Sequence, residues 1–208
     1  MHRRLIAIAL LAALSTWPLA GCQPAVVDVD VATLTQVPGL PTPADYVTET
    51  VPWELDGDRA QMVEAQTTYY HRPGSPAGSP ELLIPDAGKA LRASDEPQAI
   101  TGAVGIAALR YTTAGLARQD ARRLERSLRS HGCQPESARD LLSGSNWADD
   151  LFACQNLANG GYVRVMWRYR NVIIRAALDE ADPAQAHRLP ELFIAVDAHA
   201  RSVLGVGR

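Results

Sequence analysis

The stretch YVRVMWRYRNVIIRAAL, residues 162–178, decides the fold. Within it Val163, Val165, Trp167 and Tyr169 alternate with Tyr162, Arg164, Met166, Arg168 and Arg170. Side chains on a strand point to opposite faces with a period of two, so the first set goes to a core and the second is expected towards solvent. Val172 to Leu178 supplies a second strand, and Asp150 to Leu157 a third. Asn159-Gly160 between the runs 150–157 and 162–169 is a strong hairpin signal, because both residues tolerate the positive φ that a tight turn needs. The three runs therefore predict an antiparallel meander with a well-specified register, since a slip of one residue would turn Trp167 out of the core.

Upstream, Gly102 to Thr112 (GAVGIAALRYT) reads as a buried strand. Ala114 to Ser130 then places Ala117, Ala121, Leu124 and Leu128 at helical spacing, with Gly132 as a left-handed stop. Downstream, Asp182-Pro183 is a good helix start, and Ala186, Leu189, Phe193, Val196, Ala200 and Val203 carry an apolar stripe towards Gly205. Pro190 is expected to kink that helix or divide it. Gln61 to Tyr70 is a further strand, and Arg72 to Gln98, with five prolines, is expected to be largely loop. The order β-α-β-β-β-α predicts an α+β fold: an antiparallel sheet ending in a three-stranded meander, covered on one face by two helices.

The chain begins with two arginines in Met1 to Arg4, an apolar run from Leu5 to Leu14 too short to span a bilayer, and Leu19-Ala20-Gly21-Cys22. This is the layout of a signal peptide, residues 1–21. Its end resembles the lipobox of bacterial lipoproteins. That resemblance implies two or three acyl chains on a mature Cys22 and a cell-membrane location on the extracytoplasmic face. Residues 22–50 contain Pro24, Pro38, Pro41 and Pro43 and are expected to form an extended stalk, leaving 51–205 as a single domain with its long loop at 72–98.

Removing residues 1–21 takes away Arg3 and Arg4, so 18 basic residues stand against 23 acidic ones, a formal charge of about −5. This balance argues against nucleic acid as a partner. Lys89 is the sole lysine, a bias that fits GC-rich coding. With Cys22 carrying lipid, Cys133 and Cys154 are left as a pair in an oxidising compartment, and a structural disulfide is expected. It should stabilise the fold by roughly 3 kcal/mol on the chain-entropy account.

The pieces QMVEAQ (61–66), WADDLFACQN (147–156) and GYVRVMWRYRNVIIRAAL (161–178), with the terminal helix, resemble actinobacterial surface lipoproteins related to the extracellular sensor domains of membrane Ser/Thr kinases. The resemblance spans roughly residues 55 to 204. It implies a helix and meander joined by disulfide and a turn like Arg170-Asn171 leading into an apolar strand. The implied role is ligand sensing or an envelope interaction, and no catalytic residue is carried over.

The histidines beyond residue 21, His71, His131, His187 and His199, form no His-Glu-x-x-His pattern, and hydrolase and phosphate-loop motifs are absent. Glu54-Leu55-Asp56-Gly57-Asp58 lacks the spacing of a calcium loop and reads as an acidic turn. No metal or cofactor is expected. Arg118, Arg122, Arg126 and Arg129 share one side of the helix and read as a solvated face or as a contact for anionic headgroups. Arg164, Arg168 and Arg170, with Tyr162 and Met166, are the candidate grip for an anionic or apolar ligand, and Trp147 and Asp149-Asp150 are candidates for the same rim. The expectation is a lipid-anchored, non-catalytic binding or sensing module whose partner is a small ligand or an envelope protein. The alternatives are an envelope hydrolase or transferase, to be sought at His71 or His131 beside a carboxylate, and a structural partner in an envelope complex.

Overall fold

In the computed structural model the described residues are 26–40, 42, 46–53, 55, 61–73, 104–133, 135, 148–156, 162–178 and 189–206. They form one six-stranded antiparallel sheet: β1 (Val47–Pro52), β2 (Met62–His71), β3 (Val104–Tyr111), β4 (Asp150–Asn156), β5 (Tyr162–Tyr169) and β6 (Val172–Leu178). The order across the sheet is β1-β2-β3-β6-β5-β4. The meander forms in the expected register, with Trp167 opposite Ile174 and Leu151. β6 then returns against β3, Ile106 opposite Ala176, and so joins the meander to the first half of the sheet.

Three helices complete the described residues: α1 (Val31–Thr35), α2 (Ala114–Ser130) and α3 (Leu189–Leu204). Thr113 caps α2, its side chain accepting from the Leu116 N–H at 3.2 Å. At the other end Gly132, at φ 83°, lets its own N–H reach the Arg129 carbonyl and that of Cys133 reach Leu128, both at 3.1 Å. This closes two carbonyls that the helix leaves open, and a residue with a Cβ would be strained there. Cys133, delivered by that turn, bonds to Cys154 on β4 with Cα atoms 5.4 Å apart, so the staple expected from sequence is formed.

The two faces of the sheet carry separate cores. On one, Val163, Val165, Trp167, Ile174 and Ala176 pack against Phe193, Val196 and Ala200 of α3 and against Val31 and Leu34 of α1. On the other, Ala107, Leu109, Met166 and Ile173 pack against Ala117, Ala121, Leu124 and Leu128 of α2. The α+β class, the meander and the disulfide stand as expected, whereas the placing of both helices on a single face does not. α2 and α3 lie on opposite faces. The side of β5 expected to meet solvent is therefore buried: Arg164, Met166 and Arg168 are 4%, 3% and 1% exposed. The physical reason lies in α2, whose Ala117 and Ala121 are small enough for the helix to settle close on this mixed face.

The expected stalk also needs correction. Residues 26–40 belong to the fold and 47–52 form an edge strand of the sheet, so the domain starts well before residue 51. Asp30 caps α1 through the Ala32 N–H at 2.8 Å, and Val31, Leu34 and Thr35 are buried. Hydroxyls fix the segment in place: Tyr70 donates to the Thr35 carbonyl at 3.1 Å and accepts from the Val37 N–H at 2.9 Å, while Thr68 donates to Thr35 Oγ1 at 2.8 Å. His199 Nε2 of α3 donates to the Thr33 carbonyl at 2.6 Å.

The expected signal peptide, Cys22, most of the expected 72–98 loop, Asn159-Gly160, Asp182-Pro183, His187 and Trp147 lie outside the described residues. Pro190 stands in the first turn of α3 as described, where a missing N–H costs nothing.

Candidate functional site

Asn171 organises one end of the sheet. It follows Arg170, which takes φ 55° to turn β5 into β6, and it is fully buried. Its amide nitrogen donates to the carbonyls of Tyr111 (2.8 Å) and Val27 (3.1 Å), and its Oδ1 accepts from the Val27 N–H (2.7 Å). The Tyr111 N–H in turn donates to the Asn171 carbonyl at 2.9 Å. The entering chain, the end of β3 and the β5–β6 turn thus meet on one side chain.

Beside this junction lies a cleft of about 230 Å³, lined by Gln61, Met62, Tyr111, Leu116, Gln119, Asp120 and Arg123. β2 and β3 bring Met62 opposite Tyr111, and α2 places Asp120 and Arg123 on the turn above them. The Tyr111 hydroxyl donates to Asp120. Arg123 reaches the other Asp120 oxygen through Nε at 2.9 Å and Nη2 at 2.8 Å. Asp120 is mostly shielded while Arg123 is about half exposed, so the cationic member of the pair is the one presented to solvent.

Behind the cleft, on β6, Arg175 is 2% exposed, and its Nη1 and Nη2 have no hydrogen-bond partner among the described residues. Burial, reinforced by the nearby Arg164 cation, pulls its pKa down to about 9, and the proximity of Tyr111 and Asp120 opposes that fall. A buried guanidinium whose two terminal nitrogens lack acceptors is costly, because its charge is desolvated without compensation.

The residues expected to grip a ligand occupy different situations. Arg164 is buried, donating from Nη1 to the carbonyls of Val163 and Leu178 at 3.1 Å each, with its guanidinium carbon 4.5 Å from the Tyr162 ring centre. Arg168 is bound to Asp150 through Nε, to Asp149 at 3.0 Å and to the Arg170 carbonyl at 2.9 Å. The Arg170 N–H donates to Asp149 at 2.6 Å. Asp149 and Asp150 are therefore partners that hold Arg168 and the turn. Tyr162, Arg164 and Arg168 share the α2 side of β5, and Arg170 stands apart in the turn.

His71 lies 3.5 Å from the Glu49 carboxylate across β1 and β2, with Nδ1 2.9 Å from the Arg72 carbonyl. His131 ends α2, its Nδ1 2.7 Å from the Ser127 carbonyl. Neither lines the cleft. Among the described residues no group of three His, Cys, Asp or Glu side chains could hold a metal. On α2, Arg129 pairs with Glu125 at 2.7 Å and lies over Phe152, while Arg118, Arg122 and Arg126 are exposed.

The cleft residues Tyr111, Asp120 and Arg123 were not foreseen from sequence. Tyr111 and Asp120 are nine positions apart across a strand-to-helix connection, and no motif marks them.

No protein-family model and no curated protein matches the chain. Among solved structures, the chain is similar to the extracellular domain of PknH from Mycobacterium tuberculosis. That likeness has 11% identity and a TM-score of 0.39, and covers 83% of this chain and 92% of that one. At this level it assigns neither ligand nor activity.

Proposed function

We propose that this protein is a lipid-anchored, extracytoplasmic binding module that takes a small anionic ligand in the cleft at the start of α2, without catalysing its conversion. The observation that carries the reading is the Tyr111–Asp120–Arg123 chain backed by the buried, acceptor-poor Arg175. A carboxylate or phosphate would meet a half-exposed guanidinium at the mouth and find a second positive charge behind it. The extracytoplasmic part rests on the formed disulfide, which suits an oxidising compartment, and on the signal-like N-terminus with Cys22 as the lipid carrier.

Thermal unfolding of the mature chain with inorganic phosphate or citrate tests the ligand class. Binding at a hundredfold excess over Kd should add about 2.7 kcal/mol of stability. Arg123→Gln should weaken that binding by about tenfold or more, because a hydrogen bond to a charged group contributes roughly 1.5–3 kcal/mol. A stabilisation that survives Arg123→Gln undiminished, or none with either anion, would sink the reading. The His71–Glu49 pair is the feature that favours an envelope hydrolase as a second reading. Turnover of an envelope ester or glycan that is lost in His71→Gln would establish it instead.

A further inference from the structure

We infer that the outer face of α2 docks on an anionic lipid bilayer, so that the domain lies against the membrane and does not stand away from it. The inference rests on the proposed lipid at Cys22. Two independent observations carry it, one of charge and one of chain length.

Helix α2 holds Arg118, Arg122, Arg123, Arg126 and Arg129 against Asp120 and Glu125, a surplus of three positive charges on a chain whose formal net charge is −3. Arg123 and Arg129 are paired with those two carboxylates. Arg118, Arg122 and Arg126 have no carboxylate partner among the described residues and are exposed. Spaced four apart, they form one row roughly 12 Å long on the side away from Ala117, Ala121 and Leu124. The chain's net acidic balance repels an anionic surface, whereas this row attracts one.

The second observation is where the tether leaves the fold. Val27 is clasped by Asn171, which also binds the Tyr111 carbonyl, and α2 begins three residues after Tyr111. The anchored chain and the first turn of α2 therefore share one end of the sheet. Five peptide units separate Cys22 from Val27, a reach of at most roughly 18 Å even fully extended. With residues 26–40 built into the domain, a bilayer carrying the Cys22 acyl chains lies within that distance of the junction. The arginine row starts about one helical turn from the same end, close enough to rest on the headgroups while its aliphatic stems cover the interface.

The test uses the full mature lipidated chain on vesicles of phosphatidylcholine alone or with phosphatidylglycerol, labelled with phenylglyoxal and read by peptide mass. Arg72, exposed at the opposite end of the sheet after β2, is the internal reference. Labelling of Arg118, Arg122 and Arg126 should fall several-fold on the anionic vesicles, with Arg72 unchanged. Each arginine at an anionic surface multiplies partitioning by about fivefold, so the triple variant R118E/R122E/R126E should lose roughly a hundredfold of the added affinity. Its circular dichroism should match the wild type, since all three side chains are exposed. Equal labelling of the row on both vesicles, or equal protection of Arg72, overturns the inference. Flotation with phosphatidylcholine vesicles reads the anchor separately. A chain that fails to float there lacks the lipid, and labelling on the anionic vesicles still decides the face.

Discussion

Replacing Asn171 with alanine removes a single side chain and three long-range hydrogen bonds, to Val27 twice and to Tyr111 once. Each bond contributes about 1 kcal/mol net, and the Tyr111 carbonyl, being buried, gains no water in exchange. The sum is about 3 kcal/mol. For a domain of this size that corresponds to roughly 6–12 °C in Tm. Asn171→Asp should be at least as harmful, because a carboxylate keeps the bond from the Val27 N–H but faces two carbonyls with no proton to offer. Urea unfolding followed by tryptophan fluorescence gives the midpoint, and an unchanged slope would show that the native state has lost stability without a change in compactness. Hydrogen exchange at the Val27 amide should accelerate in both variants. A loss below about 1 kcal/mol in Asn171→Ala, or an Asn171→Asp variant as stable as wild type, would refute the account of Asn171 as the clasp.

Leu34→Ala should cost roughly 2–5 kcal/mol in the same unfolding assay, as Leu34 is 0% exposed on the inner face of α1, whereas a stalk residue would cost almost nothing. Removing the disulfide by Cys133→Ala with Cys154→Ala should cost about 3 kcal/mol for a sequence separation of 21, and intact mass should rise by two hydrogens when the wild type is reduced. Free thiols in the untreated protein would contradict the staple. Arg175→Met should raise stability at pH 7 by roughly 1–2 kcal/mol and weaken phosphate binding, since it exchanges a buried, acceptor-poor charge for apolar packing. Because the folded pKa of Arg175 is depressed to about 9, between that pH and the ordinary arginine range the unfolded chain binds more protons. Wild type therefore gains stability relative to Arg175→Met as pH rises through 9. A difference between the two that stays flat from pH 8 to 11 would contradict this.

Much of the architecture was legible without coordinates. Alternation in 162–169 set the β5 register, the 117-121-124-128 spacing and Gly132 bounded α2, and the two cysteines left after Cys22 pointed to one bond. These are local signals, carried by residues close in sequence. The candidate site was less legible. The arginines of β5 were visible as a group, yet Asp149 and Asp150 bind one of them and backbone carbonyls bind another, while the cleft draws on Gln61, Tyr111 and Arg123 from three separate segments.

Periodicity tells which side chains share a face but not what covers it. The burial of Arg164, Arg168 and Arg175 depends on α2 crossing that side of the sheet, and α3 could have taken its place on pattern alone. Residues 26–40 look like a spacer because their apolar positions come in short pieces with Pro24, Pro38, Pro41 and Pro43 in and around them. They join the fold through bonds such as Val27 to Asn171, 144 residues away. A contact of that separation leaves no trace in local spacing. Sequence by itself thus determined β2 to β6, the principal helix and the staple, through interactions among neighbours, and missed the edge strand β1. Only the tertiary structure decided which face α2 covers, where residues 26–40 join the fold and which charges are buried, because those depend on distant segments meeting.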